Sequence, residues 1–241
     1  VREFIERDLG EEGMKRSVVI VSTSDKSPLL RMRGAFLAMT ISEYFRDQGM
    51  KVLCMIDSIT RFAFAQREIG LSAGESPITK GYTTSVFTEL PKLLERAGMG
   101  PKCGSITGLF TVLVEGDDTE EPVADSMRSI LDGHIVLERK IAERGRFPAI
   151  NILRSVSRPM INLISNSESD LISKTKKIIS TYTDMEDIIR LGIYKSGANP
   201  EVDTAIKYFP EIEKFLSQSP KERYSIEEGY KNLDIILKNK L

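Results

Sequence analysis

Apolar runs of strand length alternate with longer stretches of helical periodicity over the first 160 residues. Ser17–Val21 and Val52–Ile56 are continuous runs, typical of strands buried on both faces of a sheet. Between them, Ser27-Pro28 is a typical helix start, and apolar residues follow it at helical spacing as far as Phe45. The alternation continues with strand patterns at 105–114 and 134–137 and helical patterns at 59–69, 86–94 and 123–131. This order predicts an α/β fold with a mainly parallel sheet.

The pattern changes after about residue 160. Three helical stretches follow, at 163–189, 204–215 and 226–237, and glycines and prolines separate them. We therefore predict two domains, an α/β core over residues 1–160 and a smaller helical domain over residues 161–241.

Composition narrows the class of protein. The 34 basic and 35 acidic side chains nearly cancel, so the chain lacks the basic excess of a typical nucleic-acid or anionic-membrane binder. Two cysteines cannot build a disulfide framework, and no apolar stretch reaches the 18 residues that a membrane span requires. We expect a cytoplasmic protein that does not bind nucleic acid. Because the chain begins with Val1 inside a helical pattern, we also expect it to be a fragment.

Asp57 follows a buried strand directly. Open α/β sheets bind ligands at the carboxyl edge of their strands, and in nucleotide hydrolases an acid at this place holds Mg²⁺, often through water. The alternative is that Asp57 or Ser58 caps the following helix, and the residues alone favour neither interpretation.

Arginines supply further candidates. Arg61 comes one helical turn after Asp57, and Arg154 and Arg158 lie with Phe147 in an arginine-rich apolar segment before the helical region. A guanidinium group binds phosphate oxygens in a bidentate manner. Taken one by one, these arginines are more typical of solvated or salt-bridged surface positions.

The sequence gives little support for a calcium site, a catalytic triad, a histidine-based zinc site or a P-loop. The acidic run at 115–121 lacks the spacing of a calcium loop, and His134 is the single histidine, which excludes catalytic triads and histidine-based zinc sites. No Gly-x-x-x-x-Gly-Lys-Ser/Thr motif occurs in the 241 residues. The residues by themselves predict an α/β domain with an acid suited to Mg²⁺.

Several segments, in order along nearly the whole chain, resemble the flagellar protein-export ATPases. These proteins are related to the catalytic heads of rotary ATP synthases and to type III secretion ATPases. The matching segments are Ser22–Asp25, Asp57–Ala63, Ala65–Gly70, Thr79–Thr83, Leu93–Gly98, Gly104–Thr107, Glu115–Asp118 and Ile130–Leu137. The resemblance implies a RecA-like P-loop NTPase core, of which the N-terminal strands and the P-loop are missing, and a small α-helical C-terminal domain.

The resemblance also implies a role for each candidate. Asp57 matches the acid at the end of the Walker B strand, which organises Mg²⁺ and its waters, and Arg61 matches an arginine beside the catalytic pocket. Phe147 matches the aromatic residue that packs against the adenine of ATP. Arg158 matches the arginine finger that reaches the γ-phosphate held by the neighbouring subunit.

The family assembles as a homohexamer, so the resemblance implies MgATP hydrolysis that depends on assembly and drives proton-motive-force-coupled flagellar export. The implied partners are an export regulator, a coiled-coil central stalk protein, the export gate, and exported subunits with their chaperones. The stalk is expected near the segment Tyr194–Glu201. The implied location is peripheral, at the cytoplasmic face of the inner membrane.

Two departures accompany the resemblance. Pro159 follows Arg158 where an aliphatic residue is expected, and it restricts Arg158 to extended geometry. The P-loop and the catalytic glutamate of the family are absent from these residues, so we expect the segment alone to be inactive. Two alternatives stay open: a virulence secretion ATPase or rotary synthase subunit, and a non-catalytic truncated interaction module.

Overall fold

The computed structural model describes residues 1–114, 116 and 121–238, and the chain divides into two compact units, Val1–Leu131 and Asp132–Leu241. The two units are defined by the contacts within the chain, which do not test the predicted domain boundary at residue 160. That boundary stays a prediction. Most of the acidic run considered as a metal loop (Glu115, Asp117, Asp118, Glu120) lies outside the described residues.

A three-stranded sheet forms the centre of the first unit, with strand order β1-β5-β4. Strands β1 (Lys51–Ile56) and β5 (Ser105–Phe110) are parallel and in continuous register, and β4 (Gly98–Met99) joins β5 antiparallel. A separate hairpin pairs β2 (Pro77–Thr79) with β3 (Tyr82–Thr83). The sheet is thus mixed, with its parallel pair where the apolar runs predict buried strands.

Helices bury one face of this sheet. These are α2 (Pro28–Asp47), α3 (Ile59–Ser72), α4 (Thr84–Leu94) and α5 (Pro122–Ile130). A short π-helix (Phe4–Leu9) and α1 (Gly10–Met14) precede them and contain no buried residue. The core contains Cys54 and Ile106 from the strands and the apolar faces of the helices, with Met39, Ile59, Val86, Leu90, Leu93 and Val123 fully buried. On the other face, Leu53 and Met55 are 58% and 60% exposed.

The expectations for this unit are partly confirmed. Ser27 is the N-cap of α2 with Pro28 at the first helical position, and Gly49 follows the helix at φ +88°. The strand expected at Ser17–Val21 is wrong: among the described residues no strand pairs with this segment, so it lacks the ladder of hydrogen bonds that defines a strand. The strand expected at 105–114 ends at Phe110, where its pairing with β1 also ends.

The second unit begins with an antiparallel pair, β6 (Gly133–Leu137) and β7 (Ile150–Ser157), joined through α6 (Arg139–Glu143). Helices α7 (Met160–Leu163), α8 (Asn166–Arg190), α9 (Pro200–Leu216) and α10 (Ile226–Lys238) follow, close to the three predicted helical stretches. Ile179, Tyr208 and Ile212 are the buried centre of its apolar cluster. The sequence pattern missed β7, because arginine and serine residues interrupt its apolar alternation.

Within the described part of the chain, no helix is both long and apolar enough to cross a membrane.

A bidentate ion pair fixes α2 to the segment that follows α4. The Arg96 guanidinium group donates to Glu43 through Nε (2.8 Å to Oε1) and Nη2 (2.5 Å to Oε2), and Nη2 also lies 2.8 Å from Thr40 Oγ1. These hydrogen bonds from Arg96 lower the pKa of Glu43 below its ordinary value. Both side chains are three-quarters buried, so the pair is shielded from water on most sides.

We therefore expect Glu43→Gln to destabilise the first unit at pH 7 by about 1 kcal/mol in urea unfolding. Since folding lowers the pKa of Glu43, the stabilisation is complete above the unfolded value near 4.5 and is lost as the pH falls through the lower folded pKa. The two proteins should converge in stability at acidic pH. Glu89→Gln, which disrupts the more exposed pair with Lys92, is the control and should cost less than half as much. Equal costs would contradict a special role for the Glu43–Arg96 pair.

Candidate active site

Asp57 lies at the carboxyl edge of the parallel strand pair, as the strand pattern predicts. It is exposed and follows β1 directly, and Thr111 follows β5 at the equivalent place. The Thr111 hydroxyl donates to Asp57 Oδ1 at 2.8 Å, and the Thr111 N–H donates to Ile56 O at 3.1 Å. One carboxylate oxygen is therefore oriented by a neighbour, and the carboxylate faces solvent.

The helix cap beside Asp57 belongs to Ser58. Its hydroxyl accepts from the N–H of Arg61 at 3.4 Å, and it is buried and is the N-cap of α3. Helix capping therefore does not explain why an aspartate stands at position 57, since Ser58 is the cap of α3.

Further hydrogen bonds hold the segment after β5 against the start of α3. The N–H of Ile59 donates to Thr111 O at 2.9 Å, and the N–H of Leu113 donates to Thr60 Oγ1 at 2.8 Å. Sequence reasoning missed Thr60 and Thr111. The sequence pattern gives no signal for Thr111, because it places this residue inside a strand predicted to run to residue 114, whereas β5 ends at Phe110.

Arg61 lies in the first turn of α3, four residues after Asp57, and its side chain is exposed. The structure thus brings a carboxylate, a hydroxyl and the turn that carries an arginine to one edge of the sheet. Their catalytic roles stay predictions.

The donor set at this edge fits Mg²⁺ held through water. In residues 1–114, 116 and 121–238, no group of three or more His, Cys, Asp or Glu side chains is arranged to hold a metal ion. A dedicated cage is not what Mg²⁺ needs, because it keeps several waters and is usually bound through one or two carboxylates and the substrate's phosphates. Glu121, from the acidic run, caps α5 instead, accepting from the N–H of Ala124 at 2.9 Å.

Phe147, in the second unit, has an anchored backbone and an exposed ring. Its carbonyl oxygen accepts from the N–H of Gln218 at 2.8 Å, and its ring is 57% exposed. The preceding residue, Arg146, is buried; its Nε lies 3.0 Å from Glu213 Oε2, and its Nη2 donates to Ile150 O at 3.0 Å. A flat apolar face held in this way is suited to stacking on an aromatic base.

Arg158 comes directly after β7, also in the second unit, and its side chain is exposed. Its N–H donates to Asp132 O at 2.8 Å. Pro159 is the N-cap of α7, at φ −74°, so its missing N–H lies outside the helix and costs α7 no hydrogen bond.

Two family models cover nearly the whole chain. The ATP synthase alpha/beta family, nucleotide-binding domain, matches residues 1–157, and the T3SS EscN ATPase C-terminal domain matches residues 164–234. The expected order of an α/β nucleotide-binding core and a helical C-terminal domain is confirmed.

Curated relatives agree. The chain is 56% identical to the flagellum-specific ATP synthase of Caulobacter vibrioides, covering 99% of this chain and 55% of that protein. It is 53% identical to the flagellum-specific ATP synthase of Bacillus subtilis, covering 95% and 52%. The chain therefore spans about half the length of the curated relatives it matches.

A solved structure gives the same answer. The assembled ATPase EscN, from the type III secretion system of enteropathogenic E. coli, superposes with a TM-score of 0.91 at 48% identity, covering 94% of this chain and 55% of that one. The resemblance seen in the sequence is confirmed, and the chain belongs to the ATP synthase alpha/beta family, among relatives that are flagellum-specific ATP synthases and type III secretion ATPases.

Proposed function

We propose that the complete protein hydrolyses MgATP to drive flagellar type III protein export, coupled to the proton motive force. The observation that carries the proposal is Asp57, which stands at the carboxyl edge of the parallel pair with one oxygen held by Thr111 and is not the cap of α3. The two flagellum-specific ATP synthases, at 56% and 53% identity, support the choice of flagellar export.

In this proposal Asp57 holds the Mg²⁺ waters, and Thr111 keeps its carboxylate in one orientation. When bound there, Mg²⁺ would supply positive charge to neutralise the negative charge that develops on the phosphate oxygens. Arg61 adds positive charge at the same edge, where phosphate oxygens would lie. The P-loop and the catalytic glutamate are not among these 241 residues, so the segment by itself would not turn over ATP.

Phe147 would stack on the adenine, and Arg158 would reach the γ-phosphate bound by the neighbouring subunit of a homohexamer. The exposed ring and the exposed arginine support these roles, because both side chains must be accessible to a ligand. An arginine supplied across an interface makes hydrolysis depend on ring assembly.

The same family supports the proposed partners. EscN has been solved in complex with its central stalk, EscO. We assign the corresponding contact in this chain to the turn between α8 and α9, where Leu191 and Ile193 are 67% and 65% exposed. The export regulator, the gate, and exported subunits with their chaperones complete the proposal, with the ATPase peripheral at the cytoplasmic face of the inner membrane.

A virulence secretion ATPase is the second candidate. The type 3 secretion system ATPase of Sinorhizobium fredii is 49% identical over 95% of this chain. This is lower than the identity to the Caulobacter flagellar relative, so export of flagellar subunits is the function we favour.

The first test concerns the finger. Arg158→Ala in the complete protein should leave ATP affinity nearly unchanged and lower turnover by about 10³–10⁵-fold, since the charge on the transferring phosphoryl group loses its neutralisation. Steady-state hydrolysis and equilibrium nucleotide binding measure the two effects. Arg190→Ala, which removes another exposed arginine of the same unit, should hydrolyse ATP at the wild-type rate. Wild-type turnover of Arg158→Ala would contradict the finger assignment.

The second test concerns the acid. Asp57→Asn preserves an oxygen for the Thr111 hydroxyl but removes the charge, so turnover should fall sharply and the Mg²⁺ titration of activity should move to higher concentration. Thr111→Val should cost about 10–100-fold through loss of orientation. Asp47→Asn, at the end of α2, is the matched control. If Asp57→Asn keeps the wild-type Mg²⁺ dependence, the acid has no part in metal binding.

The third test concerns the stalk contact. The Tyr194 hydroxyl lies 3.0 Å from Asn199 O and 3.1 Å from Asp203 Oδ1, and the N–H of Gly197 donates to Asp203 Oδ2 at 2.9 Å. Desolvation and the Asp203 carboxylate raise the pKa of Tyr194 above its ordinary value.

Tyr194→Phe should loosen this turn, speed hydrogen exchange at the Gly197 amide, and weaken binding of the stalk protein about fivefold. Tyr224→Phe, at an exposed tyrosine elsewhere in the unit, should change neither measurement. Faster exchange with unchanged stalk affinity would remove this turn from the interface.

A further inference from the structure

The end of β7, from which Arg158 leaves the β6–β7 pair, is held by an unusual strand pairing. Gly133 lies opposite Ser157 and His134 opposite Val156, but Val136 lies opposite Asn151. Between these pairs, the single residue Ile135 of β6 is opposed by four residues of β7, so β7 carries a bulge over residues 152–155. Bulges re-aim side chains and are common beside active sites.

Side chains lock this bulge. Ser155 Oγ accepts from the N–H of Val136 at 3.0 Å and donates to Asn151 O at 2.6 Å. Asn151 Oδ1 accepts from the N–H of Arg154 at 3.0 Å, while its amide nitrogen donates to Glu138. Three backbone groups at the bulge, the N–H groups of Val136 and Arg154 and the carbonyl of Asn151, thus find side-chain partners.

His134 contributes from the facing strand. Its Nε2 lies 3.0 Å from Arg154 O, and since a carbonyl oxygen only accepts, the ring donates through Nε2. The single histidine of the chain therefore has a structural contact at the bulge, which accounts for its place in β6.

Gly133 fixes the other end of the pair. A Cβ on Gly133 would lie 2.4 Å from Val156 O and 3.1 Å from the Ser157 Cα, both of which are backbone atoms. No rotamer change can relieve such a contact, so any side chain there must displace the end of β7. The adjacent carbonyl, of Asp132, accepts from the N–H of Arg158 at 2.8 Å.

We propose that Gly133 and Ser155 are positioning residues for Arg158. Ser155 locks the bulge, which sets the direction of β7, and Gly133 lets β6 approach closely enough for Asp132 O to hold the Arg158 backbone. The inference rests on the proposed function, because it assigns to this geometry the aim of an arginine that acts on the γ-phosphate across a subunit interface.

The test is made in the complete protein. Gly133→Ala should lower kcat for ATP hydrolysis about 100-fold, the effect of a shift of about 1 Å in a catalytic group. The KM for ATP and the affinity for a non-hydrolysable nucleotide should stay within about twofold of wild type, because a finger acts only in turnover. The ring should sediment as the wild-type ring does. Ser155→Ala, which unlocks the bulge without a steric conflict, should lower kcat about tenfold with the same split.

Matched controls come from the same unit. In the part of the chain that the structure describes, a Cβ on Gly229 would meet no atom within 4 Å beyond its own helix backbone and chain neighbours, and Ser217→Ala removes a hydroxyl that donates to Glu213 O. Both should keep wild-type kcat. In the Arg158→Ala background, Gly133→Ala should slow turnover no further, since residues that act through one group are not additive.

The outcomes distinguish the finger role of Arg158 from the positioning role of Gly133 and Ser155. If Arg158→Ala is slow and both Gly133→Ala and Ser155→Ala turn over normally, the positioning role is overturned and the finger stands. If Arg158→Ala itself turns over normally, the proposed finger fails. A further loss in the double variant, or a loss accompanied by weaker nucleotide binding, would overturn positioning through Arg158. Should Gly133→Ala fail to fold, Ser155→Ala decides by its kcat.

Discussion

The parallel pairing of β1 with β5 is the constraint on which the candidate site depends. The register runs without a break from Lys51 opposite Ser105 to Ile56 opposite Phe110, so Asp57 and Thr111 must arrive side by side. A slip by one residue would turn every side chain of the slipped strand to the opposite face, which would bring Leu53 and Met55 into the core in place of Cys54. The packing of Cys54 and Ile106 against the helices therefore also sets the chemistry at the strand ends.

The second unit positions its candidates in a different way. Its strand pair is irregular, and the direction of β7 depends on individual side chains and on one glycine rather than on a long register. Arg158 and Phe147 are both exposed but have anchored backbones, which combines access for a ligand with little conformational entropy to lose on binding. Regular pairing places the acid, whereas local hydrogen bonds place the arginine and the aromatic ring.

Much of this arrangement could be predicted from the sequence, because apolar runs and helix caps are local signals. The start of α2 at Ser27-Pro28, the strand before Asp57 and the three long helices of the second unit are examples. What could not be predicted depends on partners distant in the sequence. Residues 17–21 have the composition of a strand but no neighbour to pair with among the described residues, and β7 forms although its pattern is broken.

The same distinction holds at the site. Asp57 was predicted because it follows an apolar run, whereas Thr111 is 54 residues away in the sequence and meets it only through the fold. The resemblance to export ATPases identified Phe147 and Arg158 as candidates. It could not show that Gly133 and Ser155 surround the end of β7, because those contacts are seen only in three dimensions.

The anchors of Phe147 carry a mechanical consequence. Its backbone is tied to Gln218, just beyond α9, and its neighbour Arg146 is paired with Glu213 on α9 itself. A displacement of α9 would therefore pull directly on the segment that presents the aromatic ring. If a ligand that binds α9 changes the affinity for the nucleotide by some factor, the nucleotide must change the affinity for that ligand by the same factor. In the proposed role of Phe147, these two contacts would couple α9 to the adenine of the nucleotide.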